Sequence, residues 1–324
     1  MLFALVFGMN QKINGLFFFL GILVAGCSPK QAVEWPTDQL YTLAQAKKGI
    51  FLSGSDTLYY KTIGKGPDTI LLVHGFGPFP SAQWESQAIV LSFDALVVIP
   101  DMLFFGQSSG PDTALMPAYQ AQKLSLLMHS LHVNRYGIVG HSYGGLVSTY
   151  LAEQEGPSKI HSLVLIDPLN KYYPRTILDS VQRVSGKPIE NILVPSEPKD
   201  LNCLVDLTFS RKVAFPKALA DRLLEAVEQE HPESQRSLLR ILQREEATVR
   251  AMELPQGIPT LLLWGAKDKL IPLESGVQLS HAIPGSTLIV RPHDGHAPHL
   301  ESPIAVNRIL QQFYKEQKRR LPIE

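Results

Sequence analysis

Residues 138–145 read Ile-Val-Gly-His-Ser-Tyr-Gly-Gly, which places a Gly-x-Ser-x-Gly pattern between an apolar strand-like run and a helix-like one. A serine at the tip of a sharp strand-to-helix turn has its hydroxyl pushed clear of the backbone, where it can attack a carbonyl carbon. The flanking glycines let the chain turn where a Cβ would clash. Ser142 is therefore the candidate nucleophile. The pattern alone would also fit a small-residue helix start with a capping serine. The β-like run Tyr136–Gly140 before it, and the proline-free, helically spaced Leu146–Ala152 after it, favour the nucleophile.

A serine hydroxyl at neutral pH needs a base to take its proton, and the base needs a third group to hold its tautomer. With ten histidines in the chain, composition cannot choose the base, but position can. His296 lies in a loop between Gly295 and Pro298, just after the last strand-like run, Ser286–Arg291. His293 and His299 lack that punctuation and read as loop or packing residues. For the acid, Leu261-Leu262-Leu263-Trp264 is an apolar strand whose following turn carries Asp268, at the end where loops collect in a parallel sheet. Asp167, after Leu163–Ile166, and Asp101, after Ala95–Pro100, end strands of the same kind and could reach the same face. A developing oxyanion needs donors in place beforehand. The backbone N–H of Tyr143 is one candidate and that of Phe76, in the turn His74-Gly75-Phe76-Gly77, is the other; an ordinary glycine turn is the alternative.

The constellation resembles the α/β-hydrolase fold family from about Leu52 to the C-terminus, with an interruption in the middle. The matching motifs are Leu-Leu-Val-His-Gly-Phe-Gly at 71–77, Gly-His-Ser-Tyr-Gly-Gly at 140–145, Leu-Leu-Leu-Trp-Gly-Ala-Lys-Asp at 261–268 and Gly-His-Ala-Pro-His-Leu-Glu-Ser-Pro at 295–303. The resemblance implies Ser142 as nucleophile, Asp268 as acid, His296 as base and the Phe76 and Tyr143 amides as oxyanion donors, with neither metal nor organic cofactor. A serine at the elbow argues against the haloalkane dehalogenases and epoxide hydrolases of this fold, which use aspartate there. Ester, thioester, amide and carbon–carbon cleavage stay open. One motif departs from the family: in Asp101-Met102-Leu103-Phe104-Phe105-Gly106-Gln107-Ser108, Phe104 stands where a glycine is common. Phe104 implies either a bulkier apolar wall near the site or a plain packing role.

Apolar runs at 69–75, 95–100, 135–140, 162–167, 258–264 and 286–291 alternate with helical patterns, as in a mainly parallel sheet buried on both faces. Phe51-Leu52 and Thr57–Ile63 read as an antiparallel hairpin ahead of them. Between Leu169 and Leu254 the strand signal stops and helical patterns appear, as over Lys217–Glu230 and Glu233–Met252. By resemblance this is a helical cap. The expected organisation is a signal peptide at 1–26, a tether at 27–48, a core at 49–168 and 255–324, and a cap at 169–254. Apolar residues make up 45% and charged residues 19%, which suits a large buried core. The balance of 30 basic and 30 acidic residues, with no basic stripe, sets nucleic acid aside as a partner and leaves a small-molecule substrate.

Gly15–Gly26 is an apolar run of signal-peptide length with Lys12 before it and Cys27-Ser28-Pro29 after it. Val24-Ala25-Gly26-Cys27 resembles a bacterial lipobox, which implies cleavage before Cys27, lipid on its thiol and residence in the cell envelope. In a Gram-negative cell, Ser28 rather than Asp after the cysteine would favour the outer membrane, with the protein facing the periplasm. An uncleaved anchor or a plain secretory signal is the alternative. The apolar Met1–Gly8 precedes a more conventional start, Met9-Asn10-Gln11-Lys12, so Met9 is a candidate initiator. If Cys27 carries lipid, Cys203 is left without a partner for a disulfide. Three functions compete on this sequence: an ester hydrolase, a carbon–carbon hydrolase or acyltransferase on the same scaffold, and a non-catalytic binding protein.

Overall fold

The computed structural model describes residues 37–77, 80–111, 115–173, 181–182, 186–212, 215–226 and 231–320. Strands β1 (Lys47–Ser53) and β2 (Asp56–Ile63) form an antiparallel hairpin, and β2 pairs antiparallel with β4 (Ala95–Pro100). From there β3 (Asp68–Val73), β5 (Tyr136–His141), β6 (Ile160–Ile166), β7 (Thr260–Gly265) and β8 (Thr287–Arg291) run parallel. The eight-stranded sheet has the order β1-β2-β4-β3-β5-β6-β7-β8.

Alternation along these strands builds two cores. Leu71 and Val73 face one way and Ile70 and Leu72 the other; Val98 and its neighbours Val97 and Ile99 divide likewise. On the first face Leu124 and Leu127 of α2 (Pro117–Ser130) pack beside Leu146, Val147 and Leu151 of α3 (Tyr143–Lys159). On the second, Ala88 and Leu91 of α1 (Glu85–Leu91) meet Val306, Leu310 and Tyr314 of α11 (Pro303–Arg320). Burial on both faces explains why β3, β5, β6 and β7 read as unbroken apolar runs rather than alternating ones, whereas the edge strand β8 is partly exposed.

Between β6 and β7 the described residues are helical: α4 (Ile189–Leu193), α5 (Pro198–Thr208), α6 (Lys217–Ala226), α7 (Pro232–Arg244) and α8 (Glu246–Ala251). The single helix expected over Glu233–Met252 is two, divided at Glu245, which caps the end of α7 and the start of α8. After β7 come α9 (Leu273–Ala282) and, beyond β8, the short α10 (Pro298–Glu301).

The expected tether to residue 48 is too long. Residues 37–43 are helical and fastened to the core: Tyr41 is 1% exposed and its hydroxyl donates to the Ser81 carbonyl at 2.8 Å. Thr37 donates to Glu85 at 3.0 Å, and Lys47 already belongs to β1. Tyr41 burial, the Thr37 and Tyr41 hydrogen bonds and the Lys61–Asp38 ion pair together hold the polar-looking stretch on the core. Cys27 and the whole expected signal peptide lie outside the described residues, as does the Met1 or Met9 start. Among the described residues no helix is long and apolar enough to cross a membrane.

Candidate active site

The sheet order reverses around β3, whose neighbours β4 and β5 lead to opposite edges. Loops leaving the C-terminal ends of adjacent strands diverge at such a point and leave a crevice. The turn after β3 carries Phe76, and the turn after β5 carries Ser142.

Ser142 is held at φ 53°, ψ −120°, a region that residues with a Cβ rarely occupy. Hydrogen bonds fix it there. Its N–H donates to the Ile166 carbonyl at 3.0 Å, and its own carbonyl accepts from Gly145 and Leu169, each at 3.0 Å. Close packing of α3 against β3 completes the turn, since a Cβ on Gly144 would sit 2.2 Å from the His74 carbonyl oxygen. The serine side chain remains partly open to solvent.

Ser142, Asp268 and His296 come together. The Ser142 hydroxyl donates to His296 Nε2 at 2.8 Å, and His296 Nδ1–H donates to Asp268 Oδ2 at 2.7 Å. Because a carboxylate only accepts, the proton belongs on Nδ1 and Nε2 is left as acceptor for the serine. Asp268 Oδ1 accepts two further N–H groups, from Leu270 at 2.7 Å and Ile271 at 2.9 Å, and the carboxylate is fully enclosed. Oxygen and nitrogen atoms of Asp167, Asp268 and His296 lie within 4.8 Å of one another, close enough to suit a metal ion, but the His296 bond to Asp268 and the Gly265 bond to Asp167 already engage the two carboxylates.

The rival groups lie elsewhere. Asp101 is engaged in its own loop, accepting from the Gln107 N–H at 3.2 Å. His293 is exposed. His299 is fully buried, its ring 4.8 Å from Trp84 and 4.4 Å from His141, and burial holds its pKa down at about 3. Asp167 ends β6 directly behind Asp268, and its Oδ1 accepts the Gly265 N–H at 2.9 Å.

Tyr143 is the first residue of α3, so its N–H has no acceptor within the helix. Among the described residues no acceptor is recorded for the Phe76 N–H. The loop that carries Phe76 is braced by His74 and Gln83. His74 Nε2 accepts from the Met102 N–H at 2.9 Å while its Nδ1–H donates to the Gly75 carbonyl at 2.8 Å. Burial lowers the His74 pKa to about 4, which keeps that tautomer neutral. Gln83 accepts from the Gly75 N–H at 3.1 Å. The Phe76 ring meets Phe105 at 5.0 Å and Tyr143 at 5.3 Å, both edge-on. Phe104 takes the glycine-like conformation itself, with φ 71°, and its side chain is buried in the core rather than walling the site. Gln235 of α7 donates to its carbonyl at 2.7 Å.

The inserted helices are bonded directly to the His296 loop. The His296 N–H donates to the Thr208 carbonyl at 2.8 Å, and its carbonyl accepts from His141 Nε2 at 2.9 Å. Glu301 accepts from the Gly295 N–H and from both the N–H and hydroxyl of Ser210. None of these partners has a sequence signature of its own. His141 is simply the variable residue of the nucleophile motif, and Glu301 appears only as part of the last one.

Lipase 3 of Moraxella sp. (strain TA144) is 26% identical over 324 residues, covering 91% of this chain and 95% of that one. Among solved structures, a membrane phospholipase A described as a bacterial virulence factor superimposes with a TM-score of 0.75 at 23% identity, covering 96% of this chain and 99% of that chain. A meta-cleavage product hydrolase from Pseudomonas fluorescens IP01 gives a TM-score of 0.70 at 23% identity, covering 83% and 97%. These two structural likenesses establish the shared fold. Residues 68–303 match the alpha/beta hydrolase fold family across most of the chain, and the protein is a hydrolase belonging to that family.

Proposed function

We propose that the protein is a serine hydrolase that cleaves an ester bond through an acyl-enzyme. The observation that carries this reading is the continuous relay from Ser142 through His296 to Asp268, at 2.8 and 2.7 Å. In the first step Ser142 Oγ bonds to the substrate carbonyl carbon while His296 Nε2 takes the hydroxyl proton. The N–H groups of Phe76 and Tyr143 stabilise the oxyanion. His296 then returns the proton to the departing alcohol as the carbon–oxygen bond breaks. Water repeats the sequence on the acyl-serine and releases the acid. Asp268 stays ionised throughout, steadying the imidazolium.

The lipase relative supports an ester as the substrate class, and the partly open Phe76 ring, backed by the buried Phe105 and Tyr143, gives the turn an apolar surface that suits an acyl chain. The helices between β6 and β7 serve as a cap that keeps bulk water from the acyl-enzyme. Labelling with a fluorophosphonate probe and turnover of short p-nitrophenyl esters test the reading, with Ser142→Ala as control. Labelled but ester-inactive protein would favour carbon–carbon hydrolysis, and folded wild-type protein that takes no label would favour a binding role.

Residues 24–27, Val-Ala-Gly-Cys, support lipid attachment at Cys27 and placement in the cell envelope, at the outer membrane on its periplasmic side. Incorporation of labelled palmitate into wild type, and its loss in Cys27→Ser, is the expected result.

A further inference from the structure

Four adjacent strands each deliver one polar group to the same edge of the sheet: Ser142 after β5, Asp167 after β6, Asp268 after β7 and His296 after β8. The ester-cleaving relay uses three of them. Asp167 is fully buried, sits at φ 42° in the left-handed region and is pinned by Gly265 N–H to Oδ1 and by its own N–H to the Leu263 carbonyl at 3.0 Å. Its Oδ2 meets no N–H or O–H donor among the described residues, and the Asp167 and Asp268 carboxyl groups bring oxygens within 4.8 Å of each other. Two buried carboxyl groups that close repel as a pair of anions, and they are relieved when one holds a proton that can bridge to the other.

The proton's address follows from the donors. Asp268 accepts from Leu270, Ile271 and His296, three N–H groups that engage both of its oxygens as acceptors. Among the described residues Asp167 accepts from Gly265 alone, and the titratable groups facing it are Asp268, Glu301 and the His296 ring. We propose that Asp167 is a positioning residue: as the neutral acid it donates a hydrogen bond to Asp268 and holds that carboxylate aimed at His296. The proposal rests on the Ser142–His296–Asp268 reading. Burial first, and the neighbouring Asp268 charge second, hold the Asp167 carboxyl well above the usual carboxylate range, in agreement with the geometry.

Asn at position 167 can imitate the neutral acid, its amide oxygen accepting from Gly265 and its N–H donating to Asp268. Asp167→Asn is therefore expected to keep kcat within a few-fold of wild type and to leave the acidic limb of the pH–rate profile in place. Asp167→Ala, with no donor, is expected to lose about ten- to a hundredfold in kcat. The infrared C=O stretch of a protonated carboxyl should appear at neutral pH in wild type and vanish in Asp167→Asn. An acidic limb displaced downward by about one pH unit in Asp167→Asn would mean that a negative charge had been removed and would overturn the proposal. Wild-type kcat in Asp167→Ala would overturn it as well, as would an unchanged infrared spectrum. If the Ala variant does not fold, the Asn profile and the infrared band still decide. Failure of wild type to react with a fluorophosphonate would instead defeat the relay reading, leaving the protonation of Asp167 to be judged by the infrared band.

Discussion

The carbonyl oxygen of Thr208, at the end of α5, accepts a 2.8 Å hydrogen bond from the backbone N–H of His296. An inserted helix and the loop of the candidate base therefore share a main-chain contact that no side-chain substitution removes. Glu301 reinforces it by bridging the Gly295 N–H to Ser210. Rearrangement of α5 would move the imidazole with it.

That coupling predicts the phenotype of Glu301→Ala. Loosening the bridge should lower kcat about tenfold with a much smaller change in KM, since a misplaced base weakens the chemistry more than binding. Steady-state kinetics on p-nitrophenyl butyrate, with melting temperature as a folding control, provide the check. A change confined to KM would show that the bridge shapes the pocket instead.

Ser142 carries backbone strain, so its two smallest replacements should part company. Both Ser142→Ala and Ser142→Gly should lower ester turnover by at least about a thousandfold. Only glycine relieves the φ 53°, ψ −120° conformation, so Ser142→Gly should be more stable than Ser142→Ala by about 1 kcal/mol. Denaturant unfolding of the pair measures the difference, and equal midpoints would refute stored strain.

Two buried histidines make the fold sensitive to acid. His74 and His299 have an ordinary pKa of 6.5 that burial lowers in the native state to about 4 and about 3. The unfolded chain therefore binds more protons below pH 6.5. Their contribution is complete above that value and declines as pH falls, until about 4 for His74 and about 3 for His299. By pH 5 each should have cost about 2 kcal/mol. His299→Phe, able to keep the Trp84 stacking, should flatten the loss of stability between neutral pH and pH 5, and parallel curves for variant and wild type would contradict this.

Gly265 lies where the acid and base loops converge. A Cβ there would come within 1.8 Å of the Gly295 carbonyl oxygen, against backbone rather than a flexible side chain. Gly265→Ala should push the 294–296 loop away from Asp268 and cut kcat about a hundredfold in whatever fraction folds. Active-site titration with a fluorophosphonate corrects for the unfolded portion, and full specific activity per labelled site would show that the loop accommodates the methyl group.

The central sheet could be read from the sequence because its strands are apolar on both faces, and turn residues bound them closely. That Ser142, Asp268 and His296 meet was legible for a related reason: each sits beyond a strand end inside a short motif, so local order fixes its place. His141, Thr208 and Glu301 were not, because their partners lie 155, 88 and 91 residues away and only the folded topology brings them together. Phe104 shows a different limit. Its left-handed φ is imposed by the loop hydrogen bonds around it and by Gln235, against the local preference of a phenylalanine. Residues 37–43 misled through composition, where a buried Tyr41 outweighs a polar surrounding.

The early fastening of the chain also sets a leash length. Thr37 is bonded to Glu85, and Ser81 and Gln83 just before it hold Tyr41 and Gly75, so Thr37 is fastened to the segment that braces the Phe76 loop. From Cys27 to Thr37 a fully stretched backbone reaches about 36 Å at most. If Cys27 carries lipid as proposed, that reach bounds how far Thr37, and the segment bracing the Phe76 loop, can stand from the bilayer.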